Sequence, residues 1–311
     1  MVRDAARLVG RVDERVELAE ADALDADAVR QAMQGVDTAY YLIHALGSGG
    51  DFAEQEQRAA RHFVEAAEQA GVQRIIYLGG LGDDPSVSPH LQSRRDVGAI
   101  LRQSNVATIE FRASIIVGSG SLSFELVRAL TRKLPMMVVP KWGRSKAQPI
   151  AIEDVLDYLR AAIDIPLAES RVYEIGGPDQ VSYIDLMREY ARQRGLRRLM
   201  LPVPVLTPRL SSWWLALVTP VYARIGRKLI DSCSTPTTVN DDAALRDFDI
   251  QPRGYREAIE RALAREDEGF ATTRWSDAIS SVPATSRRFG GQRHGSRLID
   301  TRAIEIPAPP A

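Results

Sequence analysis

The chain has 311 residues, 45% hydrophobic and 26% charged, with a formal net charge of -1. That length holds one large domain or two smaller ones, and the near-neutral balance of an ordinary globular composition gives no basic footprint for nucleic acid. The lone Cys233 excludes an intrachain disulfide and argues against a thiolate metal site, and no run of 18 apolar residues offers a spanning helix.

Residues 15–175 alternate short apolar runs with longer amphipathic stretches, a rhythm that predicts βαβ units and a parallel sheet. Met1-Val2-Arg3-Asp4 reads as the end of a strand and Val16 to Ala19 as another. A helix is expected from near Asp25 to a glycine cap at Gly35. Thr38 to Ile43 is a buried strand, and Gly47 to Gly50 a turn. Asp51 caps a long helix to Gly71, with Glu54 completing a capping-box pattern. Arg74 to Leu78 is the next strand, ending in Gly79-Gly80-Leu81-Gly82. A helix over Leu91 to Gln103 and a strand over Ala107 to Phe111 follow.

Beyond residue 115 the rhythm loosens. Helices are expected over Phe124 to Lys133, Ile152 to Ile163, Ser182 to Arg194 and Gln251 to Ala264, with a strand over Val172 to Ile175. Leu199 to Ile230 is rich in Leu, Val, Pro and Trp, and its prolines forbid one continuous helix. From about Gly269 onward no periodicity is clear. Open parallel sheets hold ligands at the C-terminal ends of their strands. Here those ends are Asp22, Ile43-His44-Ala45, Gly79-Gly80 and Arg112-Ala113-Ser114.

Dinucleotide-binding proteins of this type hold the pyrophosphate on a glycine-rich turn at a helix N-terminus. No G-x-G-x-x-G opens a helix in this sequence. The expectation is an α/β, Rossmann-like, doubly wound parallel sheet that lacks its first strand, its first helix and most of its second strand.

Six stretches carry a resemblance: Ala39-Tyr40-Tyr41-Leu42-Ile43-His44, Arg74 to Gly82, His90-Leu91-Gln92-Ser93-Arg94, Phe111 to Gly118, Gln148 to Val155 and Tyr173 to Pro178. In order and spacing they resemble the atypical extended short-chain dehydrogenase/reductases of the NmrA-like, NAD(P)-binding group. The resemblance covers about residues 1–265. It implies an incomplete NAD(P)-binding domain whose residues from roughly 176 to 265 form a small substrate-covering subdomain. Phe289-Gly290-Gly291 and Leu298 to Arg302 look like the first strand region of a further domain. Residues 266–311 are then a linker and that domain's truncated start.

The resemblance also implies roles. Arg3 falls where a basic residue contacts an adenosine 2′-phosphate, which favours NADP over NAD. Asp22 matches the acid that accepts from the adenine amino group, though it equally suits a helix N-terminus. Ile43, His44 and Ala45 would line the nicotinamide ribose. Members of the group use Tyr-x-x-x-Lys on one helix plus a Ser after the fifth strand. Here the aligned pair is His90 and Arg94, and the Ser position falls on Gly79 or Gly80. His90 can donate a proton near neutral pH, whereas Arg94 keeps its charge throughout. A plain surface His at a helix start fits as well.

The implied activity is NAD(P)-dependent oxidoreduction of a hydrophobic small molecule, covered by the apolar stretch that includes Trp213 and Trp214. Those two residues also suit peripheral contact with a membrane surface. Loss of the Ser, Tyr and Lys positions leaves open a non-catalytic NAD(P)-binding sensor or an inactive fragment. Arg3, Asp4 and Arg7 precede no apolar core, so no signal peptide and a reducing, cytoplasmic setting are expected.

Overall fold

The computed structural model describes residues 1–5, 8, 12–43, 52–82, 88–139, 141–202, 233, 235–267, 291–294 and 297–300. Helix α1 (Ala26–Ala32) starts where the Asp25 carboxylate accepts the amides of Asp27 and Ala28. It stops before Gly35, whose φ of 74° suits a residue without a Cβ. Strand β1 (Thr38–Tyr41), helix α2 (Phe52–Ala70), strand β2 (Arg74–Gly80), helix α3 (Pro89–Arg102) and strand β3 (Ala107–Ala113) follow in strict alternation. The proposed Asp51 cap and the Gly47 to Gly50 turn lie outside the described residues.

After β3 come β4 (Ile116–Val117), α4 (Leu122–Lys133), β5 (Met136–Val139), β6 (Lys146–Ala147), β7 (Ile150–Ala151) and α5 (Ile152–Ala161). The chain returns to the main sheet in β8 (Arg171–Ile175). It continues through β9 (Val181–Ser182), α6 (Tyr183–Gln193), β10 (Leu199–Pro202), α7 (Ala243–Asp247) and α8 (Tyr255–Asp267). Most of the apolar stretch from Leu199 to Ile230, with Trp213 and Trp214, lies outside the described residues. An antiparallel hairpin of β11 (Gly291–His294) and β12 (Arg297–Asp300) forms where the sequence suggested a further strand region.

The main sheet has the order β1-β2-β3-β8, and every pairing in it is parallel. Alternation within each strand feeds two apolar layers. Ile75 and Tyr77 join Tyr41, Phe63, Val97 and Leu101 beneath α1, α2 and α3. Ile76, Ile109 and Phe111 join Tyr158, Tyr173 and Phe248 on the other face, against α5 and α7. Both faces are covered, which is why these strands read as near-continuous apolar runs. A third cluster, including Phe124, Met137, Tyr190 and Ile259, forms the core of the C-terminal half.

Val16 to Ala19 does not form the expected strand. The pairing contracts to a single parallel bridge between Val2 and Glu20. The Val2 amide donates to Ala19 O and the Ala21 amide to Val2 O, both at 2.9 Å. Two hydrogen bonds fix too few residues to propagate a ladder, and residues 12–16 turn around an Arg15–Asp13 ion pair instead. Among the described residues, no strand pairs with the outer edge of β1. Tyr40 and Leu42 are exposed there, and with Leu156 and Leu159 they line an open groove of about 500 Å³ rimmed by Glu153, Asp157 and Arg160.

Candidate functional site

The C-terminal ends of β1, β2 and β3 lie side by side, in the register Tyr41–Tyr77–Glu110. Ile43 is half-buried against the α1–α3 layer, whereas His44 and Ala45 lie outside the described residues. The bridge at Val2 sets exposed Arg3 next to the segment that carries Asp22. One Asp22 carboxylate oxygen accepts the Leu24 amide at 2.9 Å and so shapes the turn into α1.

β2 runs two residues further than its apolar run suggested and includes Gly79 and Gly80. A Cβ on Gly79 would lie 3.1 Å from the Tyr77 ring, a tight contact, and one on Gly80 would lie 2.7 Å from Leu91 Cδ2, so that a side chain there requires Leu91 to move. The backbone at Gly80 therefore approaches α3 closely.

α3 begins at Pro89, with the Ser88 hydroxyl accepting the Leu91 amide. His90 sits half-exposed in the first turn and Arg94 one turn further on, so the two share a face. The Arg94 guanidinium donates to the Leu78 carbonyl and stands 5.4 Å from the Tyr77 ring centroid. Tyr77 Oη in turn donates to the Arg94 carbonyl at 2.9 Å. Ser93 is buried and donates to the buried Glu56 of α2.

Sequence reasoning missed Tyr41, Tyr77 and Glu56, all buried beneath this end of the sheet. Burial pushes the Tyr77 phenol up to about 12, although Arg94 pulls the other way. Burial also holds the Tyr41 phenol well above the ordinary tyrosine range. Both rings stay protonated at neutral pH, and neither can serve as a base there. The signal for them was alternation: Tyr41 and Tyr77 stand at the in-facing positions of strands whose next residues, Leu42 and Leu78, face the other way.

Further along the strand ends, Ser114 Oγ and Thr237 Oγ1 lie 2.6 Å apart. Gln148 ties three segments together by donating to Gly177 O at 2.7 Å and accepting the Val239 amide at 3.0 Å. Among the described residues no His/Cys/Asp/Glu cluster could hold a metal ion, and no helix is long and apolar enough to cross a membrane.

A family model described as NAD(P)H-binding matches residues 1–116. That stretch takes in α1, β1, α2, β2, α3 and β3. The chain's fold is shared with a triphenylmethane reductase of Citrobacter sp., at a TM-score of 0.67 and 17% identity over 84% of this chain and 88% of that one. The NADPH-dependent quinone oxidoreductase of Escherichia coli, solved with NADPH, matches at a TM-score of 0.65 and 18% identity over the same shares. A nucleoside-diphosphate-sugar epimerase of Staphylococcus aureus gives a TM-score of 0.65 at 15% identity, over 83% and 88%. Among curated sequences, cinnamoyl-CoA reductase 1 of Oryza sativa subsp. japonica is 26% identical over 99 residues. That match spans 32% of this chain and 28% of the rice protein. The fold is thus one that this chain shares with solved reductases and an epimerase.

Arg3 and Asp22 stand beside the single Val2–Glu20 bridge, Ile43 follows the end of β1, and Gly79 and Gly80 close β2. The pyrophosphate meets no glycine-rich turn in these 311 residues. The helix that follows Asp22 opens on Asp25 and Asp27, whose charges oppose a phosphate at that N-terminus.

Proposed function

We propose that this protein is an NAD(P)(H)-dependent oxidoreductase of the atypical short-chain type, acting on a hydrophobic small molecule. The observation that carries this reading is the packing of the first turn of α3, which includes His90, against Gly80 at the end of β2 through Leu91. Hydride chemistry belongs to the nicotinamide when it is bound. Within the chain, His90 supplies the proton to the nascent alkoxide or phenoxide, and an ordered water is its substitute. Arg94 belongs to the same site through the end of β2, which it grips.

Arg3 favours NADP(H), because a guanidinium at that strand end pairs with a 2′-phosphate. Asp22 accepts from the adenine, and Ile43, His44 and Ala45 border the ribose. Residues 1–265 form the catalytic unit, with roughly 176–265 as the substrate cover, and 266–311 lie outside it. Trp213 and Trp214 suit an apolar substrate or the surface of a membrane that supplies it.

The test is calorimetric titration with NADPH and NADH, followed by turnover assays on quinones, triarylmethane dyes and enones. The reading expects tighter binding of NADPH and oxidation of NADPH by at least one acceptor. Binding without turnover on any acceptor would favour a redox-state sensor, the reading that the replaced Ser, Tyr and Lys positions support. Absence of binding to either nucleotide would overturn both.

A further inference from the structure

We propose that Arg94 is a positioning residue: it holds the Leu78–Gly80 end of β2 in place for the nucleotide and does not meet the reacting atoms. The proposal rests on the oxidoreductase reading for its ligand, but its geometric half stands alone.

β1 pairs with β2 only through Tyr77. From Leu78 onward β2 keeps β3 as its sole strand neighbour among the described residues. The last three residues of β2 therefore leave backbone groups on the β1 side without a strand to satisfy them, which a buried segment does not tolerate. Arg94 fills that position. Its guanidinium donates to the Leu78 carbonyl, the first residue past the end of the β1 ladder.

The grip has a second point. Tyr77 Oη donates back to the Arg94 carbonyl at 2.9 Å, and the guanidinium lies 5.4 Å from the ring of the same tyrosine. One residue of α3 thus engages two consecutive residues of β2 with both its side chain and its backbone. Gly79 and Gly80 sit directly on these parts, one against the Tyr77 ring and the other against Leu91 of α3. A shift of α3 relative to Tyr77 moves the glycines with it. A guanidinium committed to a backbone carbonyl and a ring face is also poorly placed to double as an acid or base, a role its chemistry already resists.

The experiment compares Arg94→Met and Arg94→Lys. Amide hydrogen exchange is read at residues 78–82 in nucleotide-free protein, together with NADPH affinity and the pH dependence of turnover. Arg94→Met is expected to speed exchange at Gly79 to Leu81 at least tenfold while β3 and β8 stay protected. NADPH affinity should fall about tenfold, and the pH–rate profile should keep its shape. Arg94→Lys, which retains a donor for Leu78, should recover most of both losses. Unchanged exchange at residues 79–81 in Arg94→Met would overturn the proposal. So would a displaced pH profile and a lowered kcat at unaltered NADPH affinity. If the Met variant unfolds throughout, Tyr77→Phe, which removes the return hydrogen bond to the Arg94 carbonyl and keeps the ring, is read in its place: faster exchange at residues 79–81 is expected, and unchanged exchange would overturn the proposal. A wild-type protein that binds no nucleotide would sink the oxidoreductase reading, while the exchange data would still decide the tether.

Discussion

Gly98 on α3 faces Glu110 on β3 so closely that a Cβ there would come within 2.5 Å of the carboxylate. The carboxylate cannot swing aside, because it is 1% exposed and held by Arg102 Nε at 2.7 Å and Arg112 Nε at 2.8 Å. Gly98→Ala therefore forces α3 off the sheet. A loss of about 1–3 kcal/mol in stability is expected, the range for overpacking a tight core. Urea unfolding monitored by circular dichroism measures it, and a midpoint equal to wild type would refute the close fit.

Removal of the charge on Glu110 is a separate matter. Glu110→Gln leaves two guanidiniums facing each other across a buried site. Breaking a buried ion pair from one side costs about 3–5 kcal/mol. The Arg102 side chain is 30% exposed and can relax toward water, so the lower end is expected, about 3 kcal/mol. A double substitution that also removes Arg112 should recover part of the loss. No recovery would mean that the two residues do not act as a unit.

Gly177 offers a harsher case. A Cβ would lie 2.4 Å from the Pro149 carbonyl oxygen and 2.9 Å from that of Arg253, both backbone atoms. The Gly177 amide also donates to Pro149 O at 2.8 Å. No rotamer change relieves this clash. Gly177→Ala should cost more than about 3 kcal/mol, at or beyond the upper end of ordinary overpacking. Thermal melts should show the variant largely unfolded well below the wild-type transition.

Acid sensitivity should have an identifiable source on α6. The Arg192 side chain, with Gln193, holds the Glu189 carboxyl below its ordinary value of 4.5, against the opposing effect of burial. A lowered folded-state pKa contributes stability that is present above the unfolded value and lost as pH falls through the folded one. Between pH 7 and pH 3 the wild type should lose more stability than Glu189→Gln. Urea midpoints for both proteins across that interval are the check, and parallel curves would remove Glu189 from the account.

His90 carries the proposed proton transfer. His90→Ala should lower turnover by about 10²–10⁴-fold, the usual range for a lost general acid, while NADPH affinity stays within about twofold. Steady-state kinetics alongside calorimetry separate the two effects. Full turnover in the variant would hand the proton step to water or to another group.

Much of this arrangement was written in local patterns. Ser182 and Asp185 announced the start of α6, and the structure makes both halves of that capping box, at 3.2 and 2.9 Å. The continuous apolar run Ile75 to Leu78 marked a strand, because each face of β2 meets its own apolar layer. The short strands β4, β6 and β7 left no such trace, since two residues carry no period. Nor did the pairing of Leu199–Pro202 with Met136–Val139, which joins positions 63 residues apart and is set by tertiary packing. At the candidate site, His90 and Arg94 were legible as an i,i+4 pair. The direction of Arg94 was not, because a side chain's choice between a ligand and a neighbouring carbonyl depends on where the adjacent strand ends.

The outer edge of β1 has a practical meaning for handling this protein. Thr38-Ala39-Tyr40-Tyr41 holds no Pro and no Lys, the residues that natural sheets place on an edge to discourage strangers. Tyr40 and Leu42 add apolar contact area beside an edge with which no strand pairs among the described residues. An edge of that kind is expected to accept a strand from another chain, and light scattering across a concentration series is the measurement that shows it.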